Sequence, residues 1–278
     1  MPPAALFYGA PGIGKKRVAL ALVQWLFCRQ AGTDDKRIEA KSHPDLQFIE
    51  PEGKTIKIET IRSCQEKLQR APLEAPLKIV LIDSAESLTR QAANSLLKIL
   101  EEPPRDTLFI LITSSLFQIL PTIRSRCRRL FFSPPPVDEM AETLAVSLNL
   151  PQAKLRDMLD DVDGSAGLVC ELMGAEVADA VENLSRLFLG KPPSFSEASA
   201  VAQELTRKEI DIALLLEVQK KRLFRKMTAS TCSKTLSLFN LAKIDRISEA
   251  QRDVERNVNK TLVLENLMMD LHSCPNFF

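Results

Sequence analysis

Gly9-Ala10-Pro11-Gly12-Ile13-Gly14-Lys15-Lys16 decides how this chain is read. It fits the phosphate-loop pattern G-x-x-x-x-G-K-[ST] at every place but the last. Glycines at 9, 12 and 14 allow a tight loop whose backbone N–H groups turn inward, and the positive end of the following helix adds to the attraction for phosphate oxygens. Lys15 is placed to reach the β- and γ-phosphates. Ala4 to Tyr8 reads as a short buried strand before the loop and Arg17 to Arg29 as a helix behind it, which argues against a chance glycine-rich turn. At position 16 the pattern calls for a Ser or Thr hydroxyl to hold magnesium, and this chain has Lys. A second cation cannot coordinate a metal, so the loop is left able to hold ATP, ADP or phosphate but poorly equipped for hydrolysis.

Strands and helices alternate outward from the loop. A polar stretch, Thr33 to Ser42, leads through His43-Pro44-Asp45 to a strand at Leu46 to Ile49. Ile58, Ile61, Cys64 or Gln65, and Leu68 fall at helical spacing within Ile56 to Gln69. Lys78 to Asp83 is a continuous apolar strand ending in a carboxylate, as expected of a central parallel strand covered on both faces. Thr89 to Glu102 reads as a helix stopped by Pro103-Pro104, followed by strands at Leu108 to Thr113 and Arg129 to Phe132. Between those two strands, Arg124-Ser125-Arg126-Cys127-Arg128 reads as a basic loop. The alternation predicts a parallel α/β sheet with the phosphate loop at its carboxyl edge.

Ser133-Pro134-Pro135-Pro136 is the clearest linker, and the remainder reads as helix. Three short helices, 138–149, 151–160 and 164–174, make a lid-sized bundle. Longer helices follow from Val177, ending in one over Asp245 to Leu271 with Ile247, Val254, Val258, Leu262 and Leu267 along one side.

Composition sets the outer limits. With 278 residues, 45% hydrophobic and 26% charged, the chain has enough apolar residues for two or three domains. A net charge of +1 supplies no global attraction to DNA or acidic membranes. Six cysteines at 28, 64, 127, 170, 232 and 274, with no C-x-x-C pair, argue against a zinc site or a compact disulfide framework and fit reduced thiols in a cytoplasm. Lys15-Lys16-Arg17 before the apolar run Val18 to Cys28 mimics a signal peptide. The run lies behind a complete phosphate loop, is too short for a membrane span and carries Gln24, so it reads as a buried helix. The first strand begins almost at Met1, which suggests a truncated or unusual start.

Several blocks together resemble the delta-prime family of bacterial DNA polymerase III clamp-loader subunits, within the AAA+ superfamily. They are Ala92-Ala93-Asn94-Ser95-Leu96-Leu97-Lys98-Ile99-Leu100-Glu101-Glu102-Pro103-Pro104, then Leu120-Pro121-Thr122-Ile123-Arg124-Ser125-Arg126-Cys127, with His43-Pro44-Asp45 upstream. Near the end, Arg256-Asn257-Val258-Asn259 and Leu264-Glu265-Asn266-Leu267 resemble the close of that family's collar domain. The resemblance implies an AAA+ α/β domain over 1–134, an all-α lid over 135–176 and an all-α collar for oligomerisation over 177–278. It implies as partners the gamma/tau motor and delta subunits and, through the assembled complex, the sliding clamp and primed DNA.

Departures from the hydrolysing members of that superfamily are as informative. Their second acidic motif ends Asp-Glu, and here the strand ends Asp83-Ser84, without the water-activating carboxylate. Glu86 lies farther along and reaches the site only if the turn brings it back. Thr113 or Ser114 stands where the first sensor residue lies, with Thr113 the preferred candidate. Gly164-Ser165-Ala166-Gly167 replaces a turn that carries the sensor arginine. The zinc module common between the first helix and His43 is missing, with Cys28 alone remaining there. The Ser-Arg-Cys block is intact, and the resemblance assigns Arg126 as an arginine finger acting in trans on a neighbour's nucleotide. The expected site is therefore Gly9, Gly12, Gly14, Lys15, Lys16 and Asp83 as a degenerate nucleotide loop, Thr113 beside it and Arg126 for the neighbour, with no metal. The expected role is a non-hydrolysing component of a DNA-directed DNA polymerase holoenzyme. The rivals are an active gamma-type or replication-factor-C-like ATPase and an AAA+ scaffold outside replication. For Lys220-Lys221-Arg222 with Arg225-Lys226, a solvated helix face is preferred over a DNA contact.

Overall fold

In the computed structural model, residues 3–28, 36–189, 194–208, 210–229, 234–256 and 258–273 are described. Arg29, Thr33 to Asp35, Cys232, Asn257 and Cys274 lie outside them. The chain divides into two compact units, Met1–Pro135 and Pro136–Phe278.

The first unit runs β1 (Ala4–Tyr8), α1 (Lys15–Cys28), α2 (Lys36–Glu39), β2 (Leu46–Ile49), α3 (Ile58–Leu68), β3 (Lys78–Ile82), α4 (Arg90–Glu101), β4 (Thr107–Thr113), α5 (Pro121–Arg126) and β5 (Arg128–Phe131). All strand pairs are parallel, in the order β2-β3-β4-β1-β5. Side chains of the central strands alternate between two apolar layers, as the two-residue strand period requires. Leu6, Val80, Ile82, Phe109 and Leu111 face one layer, covered by Ile61 and Leu68 of α3 and Leu96 and Leu100 of α4. Phe7, Ile79, Leu81, Ile110 and Ile112 face the other, covered by Ala19, Val23 and Phe27 of α1. The apolar run that mimicked a signal peptide is thus a helix packed on the sheet. No helix among the described residues is long and apolar enough to cross a membrane.

This order puts the chain reversal beside β1, and parallel sheets bind ligands in the crevice outside the carboxyl ends of strands at such a point. The phosphate loop follows β1, Asp83 follows β3, and Thr113 ends β4, the strand between them. The α4 helix begins at Thr89, whose hydroxyl accepts the Ala92 N–H at 3.2 Å.

One local expectation fails here. The Arg124 to Arg128 stretch is not a loop throughout, because Pro121–Arg126 is helical with Pro121 at its first turn. Proline presets the backbone angle needed there, and Ile123 anchors the turn in the core.

The second unit is helical: α6 (Val137–Leu148), α7 (Gln152–Asp161), α8 (Ala166–Leu172), α9 (Ala175–Leu189), α10 (Phe195–Arg207), α11 (Ile212–Ala229), α12 (Lys234–Glu255) and α13 (Lys260–Ser273). One apolar core runs from Ala141 through Leu155, Leu184 and Leu215 to Leu271. The single helix expected over Asp245 to Leu271 is broken between Glu255 and Lys260. Asn259 accepts the N–H groups of Thr261 at 3.0 Å and Leu262 at 3.3 Å and so starts α13 afresh. The restart rotates the apolar stripe, so Ile247, Val254 and Leu267 are buried while Val258 and Leu262 are exposed.

The basic run on α11 is largely engaged with its own unit. Asp161, almost wholly buried, accepts from Arg222 Nε at 3.0 Å and from Arg225 Nη2, and Arg222 Nη1 donates to Ser185 Oγ at 3.0 Å. Lys221 pairs with Asp163 and Lys220 with Glu217. These bonds tie α7 and α9 to α11.

Candidate functional site

The loop after β1 is held tightly by its neighbours. A Cβ at Gly9 would collide with the carbonyl oxygen of Phe132, just beyond β5, so only glycine lets β1 leave the sheet that close to its edge. Gly14 has φ +91°, a conformation that L side chains rarely adopt. Lys15 is buried, and its ammonium donates to the carbonyls of Gly9 at 2.7 Å and Ala10 at 2.5 Å. Burial pulls its pKa below the ordinary value, against the attraction of Glu86 and Asp83.

Lys16 points to the end of β3. Its Nζ lies 2.9 Å from Asp83 Oδ2 and 3.4 Å from Glu50 Oε2, and 4.9 Å from the centre of the Phe48 ring. Glu50 also accepts from Lys41 Nζ, at 2.7 and 3.0 Å, and Lys41 stands over the same ring at 4.1 Å. Charges therefore alternate along Lys41, Glu50, Lys16 and Asp83. Burial would lower the Lys16 pKa, but pairing with Asp83 and Glu50 outweighs it and holds the ammonium above its usual range. Hydrogen bonding from Lys41 likewise holds Glu50 below the ordinary carboxylate range.

Magnesium, which the resemblance implies for hydrolysing relatives, does not fit this donor set. Position 16 brings a cation in place of a hydroxyl. One Asp83 oxygen takes that cation and the other accepts the Ser84 N–H at 3.0 Å. Ser84 itself adopts φ +52°, turning the chain so that Glu86 comes back to the end of β4. Glu86 Oε1 accepts from Ser114 Oγ at 2.6 Å and from Ser114 N at 3.2 Å. Burial pushes the Glu86 carboxyl up, and the hydrogen bonds, led by Ser114, more than reverse it. Thr113, the sensor candidate, is buried and turned into a local bend, its hydroxyl donating to the Ser115 carbonyl at 3.1 Å. Of the two residues offered by the strand end, Ser114 makes the leading hydrogen bonds to the Glu86 carboxylate, and the Thr113 side chain adds to them.

Arg126 stands apart from the loop, at the end of α5. Its Nη2 lies 2.6 Å from Glu101 Oε1, and its Nη1 donates to the Thr122 carbonyl at 3.1 Å. The arginine is 36% exposed and the glutamate 51%. Cys127 beside it is buried, and burial pushes its thiol to about 11, so it serves as an anchor for the helix end.

His43-Pro44-Asp45 is a structural clamp. The Asp45 carboxylate accepts the N–H groups of Leu73, Glu74 and Ala75 at 2.8, 2.8 and 2.9 Å, while His43 Nδ1 accepts the Asp45 N–H. Burial works against the charge of Asp45, but the three amides hold its pKa below the ordinary value. In the second unit, Gly164-Ser165-Ala166-Gly167 is a helix start, with Ser165 Oγ accepting the Leu168 N–H at 3.2 Å. Among the described residues no group of three or more His, Cys, Asp or Glu side chains is placed to hold a metal ion, and Cys28, Cys64, Cys127 and Cys170 are free thiols.

The loop glycines, Lys15, Lys16 and Asp83 are thus gathered at one sheet edge, with Thr113 on the strand between. Lys41, Glu50 and Glu101 were not singled out from sequence as site residues. The signal available for Glu101 was its place in the Leu100-Glu101-Glu102-Pro103-Pro104 block. For Lys41 and Glu50 no local pattern exists.

Residues 1–136 match a family model described as DNA polymerase III, delta subunit. The chain is 43% identical over 138 residues to DNA polymerase III subunit delta' of Bacillus subtilis, covering 47% of this chain and 42% of that protein. Over 201 residues it is 33% identical to the subunit of the same name from Escherichia coli, covering 69% and 60%. The chain thus spans about half the length of these curated relatives. Among solved structures, a DNA polymerase III gamma subunit-related protein from Thermotoga maritima is similar in fold, with TM-score 0.58 and 21% identity over 98% of this chain and 95% of that one.

Proposed function

We propose, from the match of residues 1–136 to the DNA polymerase III delta subunit family model and the likeness to delta' subunits, that this chain is a non-hydrolysing clamp-loader subunit of the delta-prime family that lends Arg126 to a neighbour's nucleotide. The observation that carries this reading is the contrast between two cationic sites. Lys15 is buried and turned inward onto loop carbonyls, and Lys16, though partly exposed, is bound to the half-buried Asp83, whereas Arg126 rests on an exposed carboxylate from which a γ-phosphate can draw it. A guanidinium beside a transferring phosphoryl group offsets the charge that develops there, and its planar donor fork suits phosphate oxygens. Glu101 parks the guanidinium until the neighbour's phosphate competes for it.

In this reading 1–134 is the AAA+ domain, 135–176 the lid segment and 177–278 the collar segment through which the ring assembles. The partners are gamma/tau motor and delta subunits, and through them the sliding clamp and primed DNA, in the cytoplasm. The loop holds at most a nucleotide or phosphate that it does not turn over.

The test is reconstitution with wild-type motor subunits. Arg126→Ala should assemble normally yet lower DNA-stimulated ATPase roughly tenfold or more at the site it serves, and Arg126→Lys should not restore it fully. Unchanged ATPase and clamp-loading rates in a properly assembled ring would overturn the reading. The chain alone should release no phosphate above background with DNA and clamp present. Turnover abolished by Lys15→Ala would instead favour the active ATPase, for which the return of Glu86 to Ser114 is the one supporting observation.

A further inference from the structure

We propose that Lys16 is a tethered counter-cation: its ammonium takes the place on Asp83 that a divalent metal takes in a hydrolysing loop, and closes this loop to divalent metal. The inference concerns the chain's own loop and stands apart from the role given to Arg126.

In a phosphate loop the residue after the conserved lysine and the aspartate at the end of the neighbouring acidic strand hold one metal between them. Here those two positions are occupied by Lys16 and Asp83, and they are joined directly, nitrogen to oxygen at 2.9 Å. The ammonium is held from three sides: by Asp83 after β3, by Glu50 after β2 and by the face of Phe48 on β2. Lys41 caps the outer side of Glu50, so the row Lys41, Glu50, Lys16, Asp83 is balanced charge by charge without any ion from solution.

A magnesium ion needs oxygen ligands at about 2.0–2.1 Å in near-octahedral geometry. To reach Asp83 it would have to displace an ammonium that is covalently attached and cannot diffuse away. Any metal that shared the carboxylate with it would sit within a few ångströms of a fixed positive charge. The electrostatic work of joining the first turn of α1 to the end of β3 is already done by the side chain. Lys16 therefore sets the ion specificity of the loop, and a hydroxyl there would reverse it.

Mn2+ is the probe, with bound and free ion distinguished by electron paramagnetic resonance on the full chain, alone and with ATP. The wild-type chain should bind no Mn2+ in a manner that depends on Asp83, so Asp83→Asn should leave its titration unchanged. Lys16→Ser should gain Mn2+ affinity at least tenfold, and the gain should vanish in Lys16→Ser combined with Asp83→Asn. Circular dichroism checks folding, and Lys16→Thr serves if the serine variant does not fold. Wild-type Mn2+ binding that is lost on Asp83→Asn would overturn the proposal whatever the variants do. So would a folded Lys16→Ser or Lys16→Thr chain that binds Mn2+ no better than wild type. Neither result bears on ATPase stimulation by Arg126, so the two readings fail separately.

Discussion

Two arginine–carboxylate sites in this molecule use the same chemistry to opposite ends. In the helical unit, Asp161 is 3% exposed and accepts from both Arg222 and Arg225. In the α/β unit, Arg126 pairs with Glu101, both open to solvent. A buried carboxylate deprived of water is bound to its partners, and removing one side of such a pair leaves a charge with no compensation. An exposed pair is screened and exchanges readily with water, so it contributes little to stability and leaves its guanidinium available. The three arginines are similarly exposed, so burial of the carboxylate, rather than the presence of an ion pair, separates the network that holds the fold from the pair that leaves its guanidinium available.

The sharpest way to break this comparison is to remove the buried acid. Asp161→Ala should destabilise the helical unit by about 2–3 kcal/mol, somewhat less than a fully buried pair because both arginines reach toward solvent. The shift of the urea midpoint measures it, and a change near zero would show that the network is ornamental.

A smaller effect is expected at Asp45, whose carboxylate holds three backbone amides with a depressed pKa. Its contribution is complete above the ordinary carboxylate pKa of about 4 and is lost as pH falls through the lower value in the folded chain. Asp45→Asn should therefore cost roughly 1–2 kcal/mol at neutral pH. The wild-type and variant stability curves should then converge below about pH 4, which thermal unfolding across pH 2.5–7 would reveal.

The smallest effect belongs to the exposed pair. Arg126→Ala and Glu101→Gln should each change stability by no more than about 0.5 kcal/mol. A loss at Arg126 comparable to that at Asp161 would place Arg126 among the structural arginines and erase the distinction.

Much of the first unit was legible because its central strands are covered on both faces. Lys78 to Ile82 and Leu108 to Thr113 are uninterrupted apolar runs that no exposed element resembles, and Ala4 to Tyr8 and Leu46 to Ile49 emerge with the expected bounds. Short or capped elements were less legible. The α5 helix has one buried anchor, Ile123, in six residues, too little for a periodic signal. The break before α13 was hidden because apolar residues continue at helical spacing across it, and the cap at Asn259 won over that pattern. At the site, the loop and Asp83 could be read from spacing. The bonds Lys16 to Asp83 and Arg126 to Glu101 could not, since they join residues 67 and 25 positions apart that only the folded sheet brings together.

Gly9 is fixed by the fold as well as by its place in the loop. Because a Cβ there would strike the Phe132 carbonyl, drift at this position is barred by the path of the chain beyond β5, whether or not a phosphate is ever bound. A glycine usually taken as the mark of a working nucleotide site is thus demanded here by packing as well. Gly9 by itself is therefore a poor witness to turnover, whereas at Gly14 nothing lies where a Cβ would point, and only the left-handed backbone of the loop calls for glycine.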